Sequence, residues 1–524
     1  MTISRKRVLW IDDEVEYLRS HIMFLETRGY SVTPVFSGED GLHLLRKDPQ
    51  GYDIVLLDEQ MPGKNGLDTL VDIKDMLPDL PVVMVTKSEE EQVMETALGL
   101  KIDGYLTKPV NPSQILSVCK KILHQEEIQS SKVKNDFVRS FSGNRDLLRN
   151  KKGCKEWEKL YISMTRWDIE LAGIRDEGIR QAQNGLRADA DTQFYDWVFH
   201  NYMEWVDTNS GPMLSHQVLP QYAYPVLEKG GKVCVVVLDS MRLDHYLAIQ
   251  PLLKQFFAMD NALYWSVLPT SPEYARTALV TGMNLSDVAA SFPEEFNNIL
   301  DAGTVQTSHE GKMFKKRMCL PDIGLTESEV SFINIPDENA AQILEDGLEA
   351  LSDKRAIVLN INFINSLMFE SGDSPVVGNI ASDETALRTL VANWFERSSL
   401  LRTMEKIADD GFTVVFTTSG GSVLSTRGTE YYGTDRPRTN IRFRRGEGIT
   451  CDERFAMFVY EPAKYRLPAV SEETRYIILK ENYYFVEHDV YQNYNAQYRP
   501  AFQRGGISME EMIVPIAVLT SKVM

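Results

Sequence analysis

Between residues 5 and 124 a short apolar run is followed, five times over, by a longer stretch with helical spacing. The apolar runs are "RVLWID", "YSVTPVF", "YDIVLLD", "PVVMVT" and "IDGYLTK". The intervening stretches are "EYLRSHIMFLETRG", "GEDGLHLLRKD", "GLDTLVDIKDML", "EEQVMETALGL" and "NPSQILSVCKKILHQEE". Strands this apolar are buried on both faces, and connections of this length place successive strands parallel. The pattern therefore predicts a doubly wound parallel α/β sheet, with function at the carboxyl ends of the strands.

The polar residues at those ends are Asp12 and Asp13 after the first strand, Asp58 after the third, Thr86 after the fourth and Lys108 after the fifth. Three carboxylates converging on one sheet edge repel one another unless a cation lies among them, and Mg²⁺ favours such a small oxygen site with room for water and phosphate. Thr86 can donate to a phosphoryl oxygen and Lys108 can balance its charge. The set predicts a site for phosphorylating Asp58.

With "DDE", "LLDEQMPGKNGL", "VTKSEEE" and "GYLTKP" in order, the segment resembles the response-regulator receiver domain, which has a flavodoxin-like fold. The resemblance implies that Asp58 accepts phosphate from a sensor histidine kinase. It further implies that Asp13, Asp58 and the Gln60 carbonyl bind Mg²⁺ directly while Asp12 helps through water. Thr86 and Tyr105 would form the switch pair, and Lys108-Pro109 would carry a cis peptide.

The chain has 524 residues, enough for two to four domains. Its net charge of −19 disfavours direct DNA binding, since phosphate neutralisation needs basic surface. Cys119, Cys154, Cys234, Cys319 and Cys451 form no CxxC pair, which fits a reducing compartment. The opening "MTISRKRVLWIDDE" has too short an apolar run for a secretory signal, and no run is long enough to span a membrane. The expected location is cytoplasmic.

Three domains are expected: 1–124, a helical linker or bundle at 125–216, and a larger α/β domain at 217–524. In the middle, residues 130–150 look like a linker entering a helix. "CKEWEKLYISMTRWDIELA" and "DTQFYDWVFHNYMEWVD" carry apolar stripes at helical spacing, suited to core packing or to a coupling or dimerisation surface.

In the last domain, "GKVCVVVLDSMRLDHY", "RAIVLNINFINSL", "FTVVFTTSGGSVL" and "EEMIVPIAVLTSKV" read as strands between helices. Asp239 closes the first of them, as a metal ligand or as the N-cap of the next helix. The strand end "TTSGGSV" has no ionisable group where α/β enzymes place chemistry, although Gly-rich ends can cradle phosphate. The histidines beyond residue 217 are His245 after a helix start, His309 in a loop-like stretch and His488 beside a strand; they are too few for a zinc pair. Arg436, Arg438, Arg442, Arg444 and Arg445 suggest a solvated hairpin or an anion-binding rim.

"LDSMRLDHY", "LPTSPEYARTALVTG", "NINFINSL", "TTSGGSV" and "FQRGGISMEEMIVP" occur in the order seen in PglZ domains of the alkaline-phosphatase superfamily. A receiver joined by helices to such a domain resembles the PorX-type response regulators, associated with type IX secretion. Active members of the superfamily hydrolyse phosphodiesters with two Zn²⁺ ions, about six Asp and His ligands and a threonine nucleophile. By this resemblance Asp239 matches the first aspartate ligand. Pro272 stands at the nucleophile, Asn365 at a second aspartate, Phe369 at a histidine, Ser419 and Gly420 at an Asp-His pair, and Arg504 at the last histidine. No zinc is expected there, and the Arg504 guanidinium is expected to take a cation's place and pair with Asp239.

The function this implies is a phosphorylation-controlled response regulator with a degenerate, catalytically inactive PglZ-like effector. It would work through an output protein and a phosphorylation-dependent homodimer. The alternative is a zinc phosphodiesterase acting on nucleotides or oligonucleotides.

Overall fold

The computed structural model describes residues 5–49, 51–86, 102–123, 125–150, 153–174, 176–208, 210–301, 307–369, 383–433, 441–487 and 501–522. The fourth helical stretch of the first domain, Arg436, Arg438 and His488 lie outside the described residues, as does the side chain of Phe369. The chain divides into two compact units, Met1–Asp136 and Phe137–Met524.

The first unit is built on five strands: β1 (Lys6–Ile11), β2 (Tyr30–Val35), β3 (Ile54–Asp58), β4 (Val82–Thr86) and β5 (Gly104–Thr107). They are parallel in the order β2-β1-β3-β4-β5. Alternate side chains of one strand enter the two apolar layers of the unit: Val8 and Trp10 one, Leu9 and Ile11 the other. That is why these strands are apolar throughout rather than in alternation.

The second unit has a six-stranded sheet. Its order is Phe257–Trp265, Ile513–Ser521, Phe412–Thr417, Lys232–Leu238, Ala356–Ile361 and Val330–Ile335. Four neighbouring strands are parallel, while Ile513–Ser521 runs antiparallel to both of its neighbours. The two centremost parallel strands end in Thr417 and Leu238, immediately before Thr418-Ser419 and Asp239.

The aromatic helices of the middle are Cys154–Leu171 and Glu177–Thr208. They share one continuous core with the sheet: Trp157, Phe194 and Trp205 are buried in the same cluster as Trp265 and Phe416. Phe194 and Trp205 lie with ring centroids 5.4 and 5.5 Å from that of Trp265. The stripes are therefore core, although Phe199 and Met203 remain exposed on the longer helix.

Two local expectations are corrected. Residues 130–150 are not a linker, because Gln125–Arg149 is helical along its length. His309 is not in a loop but in the first turn of the helix Thr307–Met318, and its neighbour Glu310 faces the core.

Candidate functional site

In the first unit, the acidic ends of β1 and β3 meet. Asp12 and Asp58 are buried and Asp13 is exposed, and one oxygen from each lies within 4.8 Å of the others. Among the described residues this is the one cluster of three such groups able to hold a metal ion. Lys108 reaches in from the end of β5, its Nζ 2.9 Å from Asp12 Oδ2 and 2.9 Å from Asp58 Oδ1. The Glu14 amide donates to Asp12 Oδ1 at 2.8 Å.

Burial pushes the Asp58 carboxyl up to about 6, helped by the negative charges of Asp12 and Asp13 and opposed by Lys108. One ammonium does not neutralise three carboxylates, so the donor set is chemically that of a hard divalent cation site. Gln60 is exposed beside Asp58, and the Lys108-Pro109 bond is cis. Thr86 is fully buried at the end of β4, and Tyr105 is half-buried on β5, packed against the layer that contains Leu9 and Met84. The structure thus brings Asp12, Asp13, Asp58 and Lys108 together, with Thr86 on the neighbouring strand.

In the second unit, Asp239 is fully buried and does not cap a helix; the next helix is Leu243–Phe256, with Arg242 at its N-cap. Its carboxylate is enclosed by polar side chains. Ser419 donates to Oδ1, and Asn365 Nδ2 donates to Oδ2 at 2.7 Å. Arg276 Nη1 donates to Oδ2 at 2.9 Å, and Arg504 Nη1 lies 3.6 Å away while donating to Ser240 Oγ and to Asn365 Oδ1. Burial by itself would raise the Asp239 pKa, but Arg276, Arg504 and the Ser419 and Asn365 hydrogen bonds outweigh it, and the carboxyl sits below its ordinary range.

The expected juxtaposition of Arg504 and Asp239 is what the structure shows, but the shorter contact belongs to a residue the sequence reading missed. Arg276 lies four residues beyond Pro272 on the helix Pro272–Thr281, hence on the same face. It also grips Glu310 through Nε and Nη2 at 3.0 and 2.9 Å and Asn360 Oδ1 at 3.2 Å. An arginine between Tyr274-Ala275 and Ala278-Leu279-Val280 was the available signal; its partner Glu310, 34 residues away, was not visible.

Gly420 is sterically closed. A Cβ there would fall 2.9 Å from the Thr270 carbonyl oxygen and 3.2 Å from Ser266 Oγ, so no side chain fits without a backbone shift. Pro272 occupies the first turn of its helix and carries no hydroxyl. His245 is fully buried, accepts a hydrogen bond from the Arg242 amide at 3.3 Å, and is held down to about 4 by burial.

Of the arginines of that stretch that are described, Arg442 and Arg444 are buried rather than solvated, and Arg445 is half-buried. Arg442 is wholly buried, donating to the carbonyls of Tyr483, Lys480 and Glu481 and to the Glu511 carboxylate. Arg444 is buried too, its guanidinium 4.7 Å from the Phe485 ring centroid. The Arg442 amide also donates to the Arg504 carbonyl at 2.8 Å, so this strand holds the loop that presents Arg504.

Fold and acidic site together define a response regulator, and the comparisons extend that to the rest of the chain. A family model described as the response regulator receiver domain matches residues 8–120, and one described as the PorX response regulator linker domain matches 127–206. A third, described as the BREX system PglZ alkaline phosphatase-like domain, matches residues 218–519. That is more than half of the sequence: the chain belongs to the PglZ alkaline phosphatase-like family, in the arrangement of a PorX-type response regulator.

Among curated relatives, a transcriptional regulatory protein CpxR homolog of Haemophilus influenzae is 32% identical over 32% of this chain and 70% of its own length. The alkaline phosphatase synthesis transcriptional regulatory protein PhoP of Bacillus subtilis is 31% identical over 25% of this chain and 55% of its own. The chain thus spans about half the length of most such relatives. Among solved structures, a CheY-like receiver domain protein from Methanospirillum hungatei is 29% identical, covering 24% of this chain and 98% of its own, with a TM-score of 0.22.

Proposed function

We propose that this protein is a two-component response regulator that accepts a phosphoryl group on Asp58 from a sensor histidine kinase and signals through a PglZ-like domain without phosphodiester chemistry. At Asp58, Mg²⁺ held by Asp13, Asp58 and the Gln60 carbonyl, with Asp12 behind it, would screen negative charge on the incoming phosphoryl group. Lys108 already bridges Asp12 and Asp58 and is placed to pair with a phosphoryl oxygen.

The observation that carries the second half is the Asp239 pocket. A zinc pair needs several anionic or imidazole donors and an unprotonated nucleophile. Here Asp239 faces two guanidinium groups, Asn365 is neutral, Pro272 has no nucleophilic atom and Gly420 leaves no room for a ligand. The residues present do not fit a dinuclear zinc centre. The output would then be a surface presented to a partner protein or to a second copy of this chain, controlled from the receiver by a shift between pre-existing conformations. A role in type IX secretion is the setting that the PorX-type arrangement suggests.

Two measurements on the full chain test the halves separately. Incubation with acetyl phosphate and Mg²⁺ is expected to give a phosphoprotein that is lost in Asp58→Asn; equal labelling of the variant overturns the acceptor assignment. Zinc content after metal-replete purification, together with turnover of bis(p-nitrophenyl) phosphate, is expected to be negligible; stoichiometric zinc with turnover establishes the phosphodiesterase alternative instead.

A further inference from the structure

The residue after the phosphoacceptor carries a contact that the acceptor chemistry does not require. Strands β3 and β4 are paired in parallel with Asp58 opposite Val85, which places Glu59 beside Thr86. The Glu59 backbone is fixed on both sides: its amide donates to the Val85 carbonyl at 3.0 Å, and its carbonyl accepts from the Gly66 amide at 2.8 Å. Gly66 itself is pressed against this segment, since a Cβ there would fall 2.3 Å from the Asp58 carbonyl oxygen. From this pinned position the Glu59 carboxylate, 9% exposed, accepts the hydroxyl of the fully buried Thr86.

A threonine hydroxyl has one proton to donate. Given to a carboxylate in a buried setting, that hydrogen bond is charge-assisted and worth more than a neutral one. A phosphoryl group on Asp58 presents a second anionic acceptor to the same hydroxyl. Both acceptors cannot have it at once, and the loser gives up a charge-assisted hydrogen bond.

We propose that Glu59 is a positioning residue for the phosphorylation switch: it holds the Thr86 hydroxyl in the unphosphorylated receiver, and the group on Asp58 must take that hydroxyl from it. When Thr86 turns, Glu59 gives up this hydrogen bond, so the two movements are coupled. Glu59 thereby sets how much binding energy the phosphoryl group must supply before the switch is thrown. The proposal rests on the assignment of Asp58 as the acceptor, and the experiment keeps the two apart.

The probe is beryllofluoride, a phosphoryl mimic, titrated calorimetrically with Mg²⁺ into the full chain. Wild-type binding that disappears in Asp58→Asn is the starting requirement; its absence overturns the acceptor assignment and this proposal together. Glu59→Ala is expected to bind roughly fivefold to tenfold more tightly, the size of one hydrogen bond released from competition. Glu59→Gln, which keeps a weaker neutral acceptor, is expected to fall between, and serves if the alanine variant does not fold.

The gain should vanish in a Thr86→Ala background and persist in Thr86→Ser, which retains a hydroxyl. A gain that survives in Thr86→Ala means simple relief of charge repulsion and overturns the proposal. So does wild-type-like binding by both Glu59 variants.

Discussion

Each unit ends a central parallel strand next to a buried aspartate paired with a cation, and the two sites balance their charge differently. In the receiver, three carboxylates, Asp12, Asp13 and Asp58, face one ammonium, Lys108, leaving two negative charges in excess. In the effector, Asp239 faces two guanidinium groups, Arg276 and Arg504, while the buried carboxylates of Glu310 and Glu273 share their field. The pKa directions follow: burial lifts Asp58 to about 6, whereas at Asp239 the two arginines and the hydrogen bonds outweigh burial and hold the carboxyl low. A strand-end aspartate is therefore not in itself a reactive feature. The first site has an excess of negative charge that a divalent cation can offset, whereas in the second the strand-end carboxylate is already enclosed by two fixed guanidinium groups.

That contrast is broken most directly at Arg276. Arg276→Met leaves Glu310 and most of the Asp239 charge buried without their guanidinium. It is expected to destabilise the second unit by about 3–5 kcal/mol, read by urea unfolding of the full chain. An unchanged midpoint would mean that Asp239 and Glu310 are not held by charge pairing. Arg504→Gln should cost less, about 1–3 kcal/mol, because its contact with Asp239 is longer and Gln can still donate to Ser240 or Asn365. A cost equal to that of Arg276→Met would erase the ranking of the two arginines.

The smallest effect is acid sensitivity. His245 is buried neutral, with its folded-state pKa lowered from 6.5 to about 4. Between those values the unfolded chain binds more protons, so the His245 contribution is intact above about pH 6.5 and is lost as the pH falls toward 4. At about pH 5.5 this amounts to about 1 kcal/mol. His245→Gln is expected to reduce the slope of unfolding free energy against pH in that window by close to one proton. An unaltered slope would show that His245 is not what makes the second unit acid-sensitive.

Most of the receiver was legible because its information is local. Five apolar runs fix five buried strands, and the residue after each run falls at the functional edge by construction. The same rule located Asp239 and Ser419, whereas the reading of Pro272, Asn365, Gly420 and Arg504 as substituted positions came from the resemblance to PglZ domains and not from any local pattern. The arginine stretch misled for the opposite reason. Arginines on a strand suggest exposure, but Arg442 and Arg444 were buried by carbonyls, Glu511 and aromatic rings distant in sequence.

By itself, then, the sequence determined the βα order, the acids at the receiver edge and the residue types at the strand ends of the second unit. Only the tertiary structure decided what surrounds Asp239. The Asp239 carboxylate is closed by Arg276, Asn365, Ser419 and Arg504, from 37 to 265 residues away along the chain. Strand order brings them to one point, and no local periodicity records which distant side chains will share a buried charge. The same holds for Thr86 and Glu59, whose hydroxyl and carboxylate meet because β3 and β4 are neighbours in register. Local pattern sets which face a residue takes; the pairing of buried polar groups is settled by the whole fold, because each must find its partner wherever the chain returns.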